Sequence, residues 1–301
     1  MDAILTTILT IVVMIFIGYA LKRLNIVEEK VAPSLNSVVL YVFLPCMIFK
    51  GIYTASLSNI SHFFYLPVLI IVTSCIVLTV SYFILKRFNL DKSIIWAILV
   101  PIALSNTGFM GFPINLGVFG NAGFIRALFC DLSTSFIFLM LSFILILIYG
   151  GTFKKALKKI LFFPPLWAFI IALIVSFSGF TLDPLFENII FYLADGTVPL
   201  IMISLGLTLN FNGFKRNRGI LTFASIVKLI VFPLILLIFA TIVGLSGLDF
   251  KVNIIEAAMP SAMLSMVIAT DYYLDYHLTS DIILVTTVLS LITLPVIMYL
   301  I

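Results

Sequence analysis

The sequence predicts an all-α polytopic membrane protein of ten transmembrane helices, built as two inverted five-helix repeats with the fourth and ninth helices broken. Three observations predict it: the composition, the number of long apolar runs, and the confinement of basic residues to alternate loops. Of 301 residues 63% are hydrophobic and 10% charged, with a mean hydropathy of +1.28. A soluble chain carries roughly 25% charged residues to face water. A soluble enzyme, a nucleic-acid-binding module and a disordered scaffold are therefore excluded.

A bilayer core about 30 Å thick needs about 20 apolar residues per helix. Runs of that order lie at Ile4–Leu21, Leu35–Tyr53, Phe63–Leu85, Ile94–Phe119, Ala122–Tyr149, Leu161–Phe180, Ile189–Leu209, Ile220–Leu245, Val252–Leu274 and Ile282–Ile301. They are apolar throughout rather than alternating, so only helices satisfy their backbones in lipid. Met1-Asp2-Ala3 lacks the basic stretch of a secretory signal, so the first segment is expected to be retained. Cys46, Cys75 and Cys130 lie inside apolar runs without metal-type spacing, and neither a disulfide, a metal nor a cofactor is expected.

Thirteen of the 17 Lys and Arg fall in alternate loops: Lys22, Arg23 and Lys30; Lys86, Arg87 and Lys92; Lys154, Lys155, Lys158 and Lys159; Lys215, Arg216 and Arg218. Only Lys50, Arg126 and Lys251 flank the opposite ends, and Lys228 lies inside a segment. The bias places the basic loops in the cytoplasm and both termini outside it, in a plasma membrane.

Ten segments divide into a first repeat over 1–150, a basic cytoplasmic linker over 151–160 and a second repeat over 161–301. An odd number of helices inverts the second repeat. Leu44-Pro45 matches Val198-Pro199, Gly51 matches Gly206, and Ala103-Leu104-Ser105-Asn106 matches Ala258-Met259-Pro260-Ser261, all at nearly one offset. Inverted repeats with Gly- or Pro-interrupted helices at matching places point to a transporter site.

The fourth segment contains Ser105-Asn106-Thr107-Gly108-Phe109-Met110-Gly111-Phe112-Pro113 at its middle. An interior Pro costs a helix about 3 kcal/mol and each Gly about 1. At membrane depth such a break is tolerated only where the backbone faces protein or a wet cavity. The ninth segment has a counterpart in Met259-Pro260-Ser261-Ala262-Met263-Leu264-Ser265. Half-helix N-termini attract anions, and Asn106, Thr107, Ser261 and Ser265 add neutral hydrogen bonds, a combination suited to a carboxylate. Pro45, Pro199, Pro233 and Pro295 lack such neighbours and read as kinks.

The run from Ser105 to Pro113, Cys130-Asp131-Leu132, the Pro260-Ser261 break and the Ala269–Tyr273 stretch together resemble the auxin efflux carrier family of bacterial and archaeal transporters. Those are relatives of plant PIN-type auxin carriers and, more distantly, of bile acid:sodium symporters. The resemblance implies a scaffold of segments 1, 2, 6 and 7 and a moving core of segments 3–5 and 8–10, with segments 4 and 9 crossing at the substrate. It implies export or exchange of organic anions by an elevator-like motion. Asn106, Thr107, Gly108, Gly111 and Pro113, with Pro260, Ser261 and Ser265, are then the expected substrate-binding residues. Ser261 stands where a second Asn would make the site more symmetric. The long central cytoplasmic loop of many plant members is lacking.

Ionisable groups inside spans are functional candidates by default. Asp131, Lys228 and Glu256 are the coupling or charge-compensating candidates, with Lys228 facing either an anion or one of the two acids. Asp131 or Glu256 titrates, or joins Ser and Asn oxygens around sodium; no spacing selects between H+ and Na+. Lys50, Arg126 and Asp271 sit near enough to segment ends to snorkel. The expected partners are the bilayer, a small organic anion and, in a homodimer, a second copy; nucleic acid is not expected. An intramembrane enzyme would need a motif such as H-E-x-x-H, G-x-S-x-G or a P-loop, and none is present. A channel predicts rings or symmetric oligomers rather than paired breaks in one chain, and a sensor on the same fold would bind anion without flux.

Overall fold

A computed structural model describes residues 3–55, 63–209 and 217–301. Lys215 and Arg216 of the fourth basic loop lie outside the described residues. Among the described residues the regular structure is helical, apart from one isolated antiparallel bridge between Ser105 and Ser261. The helices are α1 (Ala3–Arg23), α2 (Ala32–Val38), α3 (Leu44–Tyr53), α4 (Tyr65–Lys86), α5 (Lys92–Ala103), α6 (Phe112–Tyr149), α7 (Phe153–Leu161), α8 (Pro164–Ser178), α9 (Pro184–Thr208), α10 (Arg218–Ile226), α11 (Phe232–Ile242), α12 (Gly247–Ala257), α13 (Leu264–Asp271) and α14 (Tyr276–Leu300).

Seven of the described helical stretches are long and apolar enough to cross a bilayer, and the bent pair α7–α8 brings the number to eight. The sequence predicts ten, and the difference has a physical origin. The fourth and ninth segments are interrupted, so α5, with 12 residues, and α12 and α13, with 11 and 8, are each too short to qualify alone. The second half of the fourth segment also runs on into the fifth, giving a stretch Thr107–Tyr149 of 43 residues. At 1.5 Å per residue such a stretch is about twice the hydrocarbon thickness. Gly120 bends it, with φ 64° and ψ −158°, a backbone conformation glycine adopts without a Cβ penalty. The predicted basic linker is itself a helix, α7.

Three short π-helical stretches, Val39–Phe43, Thr107–Gly111 and Val227–Val231, each end two residues before a proline: Pro45, Pro113 and Pro233. A proline lacks the N–H that its i−4 carbonyl expects and its ring crowds that carbonyl. Widening the preceding turn relieves both, so Pro45 and Pro233 are absorbed as bulges within helices, and Pro113 as a bulge at the start of the half-helix that follows the break. Pro101, Pro199 and Pro295 sit inside helices without one.

The chain divides into two compact units. One comprises Met1–Ile60, Leu116–Ile125 and Leu157–Leu209; the other comprises Ser61–Asn115, Arg126–Ala156 and Asn210–Ile301. In the first unit α1 packs on α9, and α3 packs on α8 and α9. Lipid supplies no hydrophobic drive for helix association, so close backbone approach through small residues takes its place. Gly18 lies against the Ile203 carbonyl and Gly206 against the Ile15 carbonyl, where no Cβ fits. Thr197 donates to the Phe43 carbonyl at 2.9 Å, and Ser204 to Asn36 Oδ1 at 2.6 Å. In the second unit α5 packs on α4 and α14, and α14 also packs on α10 and α13. Asn253 donates to the Leu66 carbonyl at 3.0 Å and Thr279 to the Ala97 carbonyl at 3.2 Å. Asp249 accepts from both Arg126 and the Tyr65 hydroxyl, tying α4, α6 and α12 together.

Gly18→Val is expected to force α1 off α9 and cost about 1–3 kcal/mol, read as a lower apparent unfolding temperature in detergent. Gly219 of α10 has open space where a Cβ would stand, and Gly219→Ala is expected to leave that temperature unchanged or slightly raised.

Candidate functional site

The second unit holds both breaks. α5 stops at Ala103, and the chain turns out of helical geometry through Leu104, Ser105 and Asn106 before winding again at Thr107. α12 stops at Ala257, and α13 starts at Leu264. Each break leaves backbone donors and acceptors with no intrahelical partner, and burial forbids water as a substitute. The two breaks satisfy each other: the Asn106 N–H donates to the Pro260 carbonyl at 2.8 Å, and the Ala262 N–H to the Leu104 carbonyl at 2.9 Å. The Ser261 N–H donates to Thr286 Oγ1 at 3.2 Å.

The first amides of the two following half-helices remain. The Asn106 carbonyl accepts from the Met110 and Gly111 N–H groups at 3.2 Å, so Thr107, Gly108 and Phe109 precede the first closed turn. In the other half-helix Ser265 and Met266 donate back to Ala262 and Met263, leaving Met263 and Leu264 ahead of it. Gly108, Phe109, Met263 and Leu264 are half-buried, whereas Ser105, Asn106, Thr107, Pro260, Ser261 and Ser265 are buried.

The side chains sort themselves by whether the fold already uses them. Thr107 donates its hydroxyl to Asp131 and lies 3.0 Å from the Thr134 hydroxyl, so its side chain is committed to α6. Asn115 donates to Glu256 Oε1 at 2.7 Å and to the Gly111 carbonyl at 3.0 Å. A Cβ on Gly111 would collide with the Glu256 carboxylate, so this glycine makes room for a buried acid. Pro113 follows the π stretch in the first turn of α6. By contrast, Ser261 Oγ, Ser265 Oγ, Glu256 Oε2 and Asn115 Oδ1 are buried with no hydrogen-bond partner among the described residues.

Lys228 is the largest departure from ordinary burial. It is 0% exposed, its Nζ donates to Ser105 Oγ at 2.5 Å, and it lies 4.2 Å from the centroid of the Phe232 ring. The sequence left Asp131 and Glu256 open as its partners. Neither forms an ion pair with it, and among the described residues no carboxylate does; Asp131 is held by Thr107 and Glu256 by Asn115. Lys50 and Arg126 contrast with it, being paired with Asp195 at 2.5 Å and with Asp249. A recess of about 240 Å³ in the first unit is lined by Lys50, Asp195 and Asn121, but its cation already has an acid beside it.

Sequence reading missed Ser105, Asn115, Thr134 and Thr286 as members of this cluster. A signal existed for Asn115, an amide inside an apolar run two residues after Pro113. None existed for Thr286, whose role depends on where α14 lies.

Two broken helices whose breaks bond to each other, in a chain with seven to eight helical stretches able to cross a bilayer and with unused polar groups beside the breaks, define a polytopic helical membrane protein. Residues 3–298 match the membrane transport protein family, and the chain belongs to that family, the auxin efflux carrier family. An uncharacterized transporter of Methanothermobacter thermautotrophicus is 39% identical over 96% of this chain and 95% of its own. A putative malonate transporter of Rhizobium meliloti is 23% identical over 96% of this chain and 92% of its own. A probable auxin efflux carrier component 9 of Oryza sativa subsp. japonica is 28% identical over 45% of this chain and 33% of its own. The protein is a membrane transporter.

Gly111→Ala is expected to lower stability by about 1–3 kcal/mol through collision with the Glu256 carboxylate. Combining it with Glu256→Ala, which removes the obstacle, should give a double variant more stable than the summed single losses. Thermal unfolding of the four proteins checks this; strict additivity would separate Gly111 from Glu256.

Proposed function

We propose that this protein is a secondary transporter of small organic anions, carboxylates in particular, across the plasma membrane. The observation that carries the reading is Lys228: a fully buried amine without an acidic partner, held against Ser105 where the two broken helices meet. Burying a charge without a counter-charge is costly, and a substrate carboxylate at the crossing offsets that cost while it is bound. The unused hydroxyls of Ser261 and Ser265, the Asn106 side chain and the leading amides of Thr107, Gly108, Met263 and Leu264 offer hydrogen bonds to the same anion. Pro113 and Pro260 fix the shape of the breaks, and Gly111 the seat of Glu256.

The mechanism proposed is elevator-like alternating access, in ten spans and two inverted repeats, with both termini extracytoplasmic. Segments 1, 2, 6 and 7 form the scaffold, and segments 3–5 and 8–10 the transport core. Support comes from the second unit containing both breaks together with Lys228, Asp131 and Glu256, so that one body holds a whole candidate site. The basic residues of alternate loops support the orientation. Ion-coupled symport is the second reading. It is favoured by the unpartnered Glu256 Oε2 and Asn115 Oδ1, which a proton or a sodium ion would satisfy. A homodimer is compatible with either.

The test is uptake and counterflow of labelled mono- and dicarboxylates in proteoliposomes, with proton and sodium gradients imposed independently. Malonate comes first, given the name of the Rhizobium relative. Saturable flux is expected, and binding without flux would make the protein a sensor. Lys228→Met preserves the stem and removes the charge, and is expected to weaken anion binding roughly ten- to a hundredfold, the value of a hydrogen bond to a charged group. A folded Lys228→Met protein with wild-type uptake would remove the amine from the site. Asn106→Ala is expected to raise KM while leaving the unfolding temperature near wild type.

A further inference from the structure

α7 carries Phe153, Lys154, Lys155, Ala156, Leu157, Lys158, Lys159, Ile160 and Leu161: four lysines, five apolar residues and no acid. At 3.6 residues per turn the lysines occupy an arc of about 140° and the apolar residues the opposite arc. Within the sequence no Asp or Glu occurs between Asp131 and Asp183. Lys154, Lys155 and Lys158 form no ion pair among the described residues. Lys158 instead lies 5.6 Å from the Phe162 ring centroid.

The apolar arc is only partly covered by protein. Ala156 is buried, but Phe153, Leu157 and Leu161 remain 41%, 38% and 47% exposed. α7 has nine residues and meets α8 at a bend of 50°, so its axis turns away from that of α8. A short helix with one lysine face and one apolar face settles in the plane of the bilayer interface. Its apolar arc then enters the acyl boundary and its ammonium groups stay at headgroup depth. A topology signal needs positive charge in the loop; it does not need four lysines sorted onto one face of a rigid helix.

We propose that α7 is an interfacial binding site for anionic phospholipid, the lysine face taking the phosphodiester headgroups. The inference rests on α7 alone and is independent of the transport reading.

The protein carries its own probe. Of its two tryptophans, Trp96 is buried at 6% exposure, whereas Trp167 is 48% exposed and its indole N–H donates to the Leu161 carbonyl at the end of α7. The full-length Trp96→Phe protein is reconstituted into phosphatidylcholine vesicles containing a small fraction of brominated lipid, either phosphatidylglycerol or phosphatidylcholine. Quenching of Trp167 is expected to show a local enrichment of phosphatidylglycerol of roughly threefold or more. Added salt should reduce it. Replacing all four lysines by glutamine should bring the ratio to about one, and replacing all four by arginine should preserve it. Equal quenching by the two lipids in the lysine-bearing protein would overturn the proposal. So would an enrichment that survives the glutamine substitutions.

Discussion

Two hydrogen bonds between separated breaks organise the second unit. An interrupted helix at membrane depth has no water to turn to, and each unpaired backbone group costs several kcal/mol there. The bonds from the Asn106 N–H to the Pro260 carbonyl and from the Ala262 N–H to the Leu104 carbonyl resolve that problem for both breaks at once. They also fix Ser105 beside Lys228 and turn Ser261 so that its N–H meets Thr286. The remaining geometry of the candidate site follows from this crossing.

Charge inside the second unit is distributed unevenly, and the unevenness is informative. Arg126, Asp249 and Tyr65 form a closed set in which each group has a partner. Asp131 is held by Thr107, and Glu256 is half satisfied by Asn115. Lys228 has a neutral hydroxyl and an aromatic ring but no acid. A fold shaped only for stability would pair or remove that amine, because truncating or isolating a buried charge is strongly unfavourable. This buried amine beside unused hydroxyls is the feature on which the proposed anion site rests.

Several features of the site were legible in the chain and others were not. The two breaks, the residues that make them and the unusual status of Lys228, Asp131 and Glu256 followed from residue types that hydrocarbon tolerates poorly. The structure adds the partners of these residues. Thr107 turned out to spend its hydroxyl on Asp131, Gly111 to accommodate Glu256, and Lys228 to bond to Ser105. Pro45 and Pro233 read as kinks, and in the structure each follows a π turn. Likewise the basic linker became a two-faced helix, although the spacing of its lysines already carried that pattern.

By itself the sequence determined that the chain is a helical membrane protein, where its helices break and which side chains are too polar to be idle there. Those properties are local, because transfer from water to hydrocarbon is a matter of each segment's own composition. Only the tertiary structure decided that the two breaks bond to each other, that Asn115 and not Lys228 bonds to Glu256, and that Lys228 has no acid beside it. These are contacts between residues more than a hundred positions apart, and they depend on helix packing that no local pattern encodes.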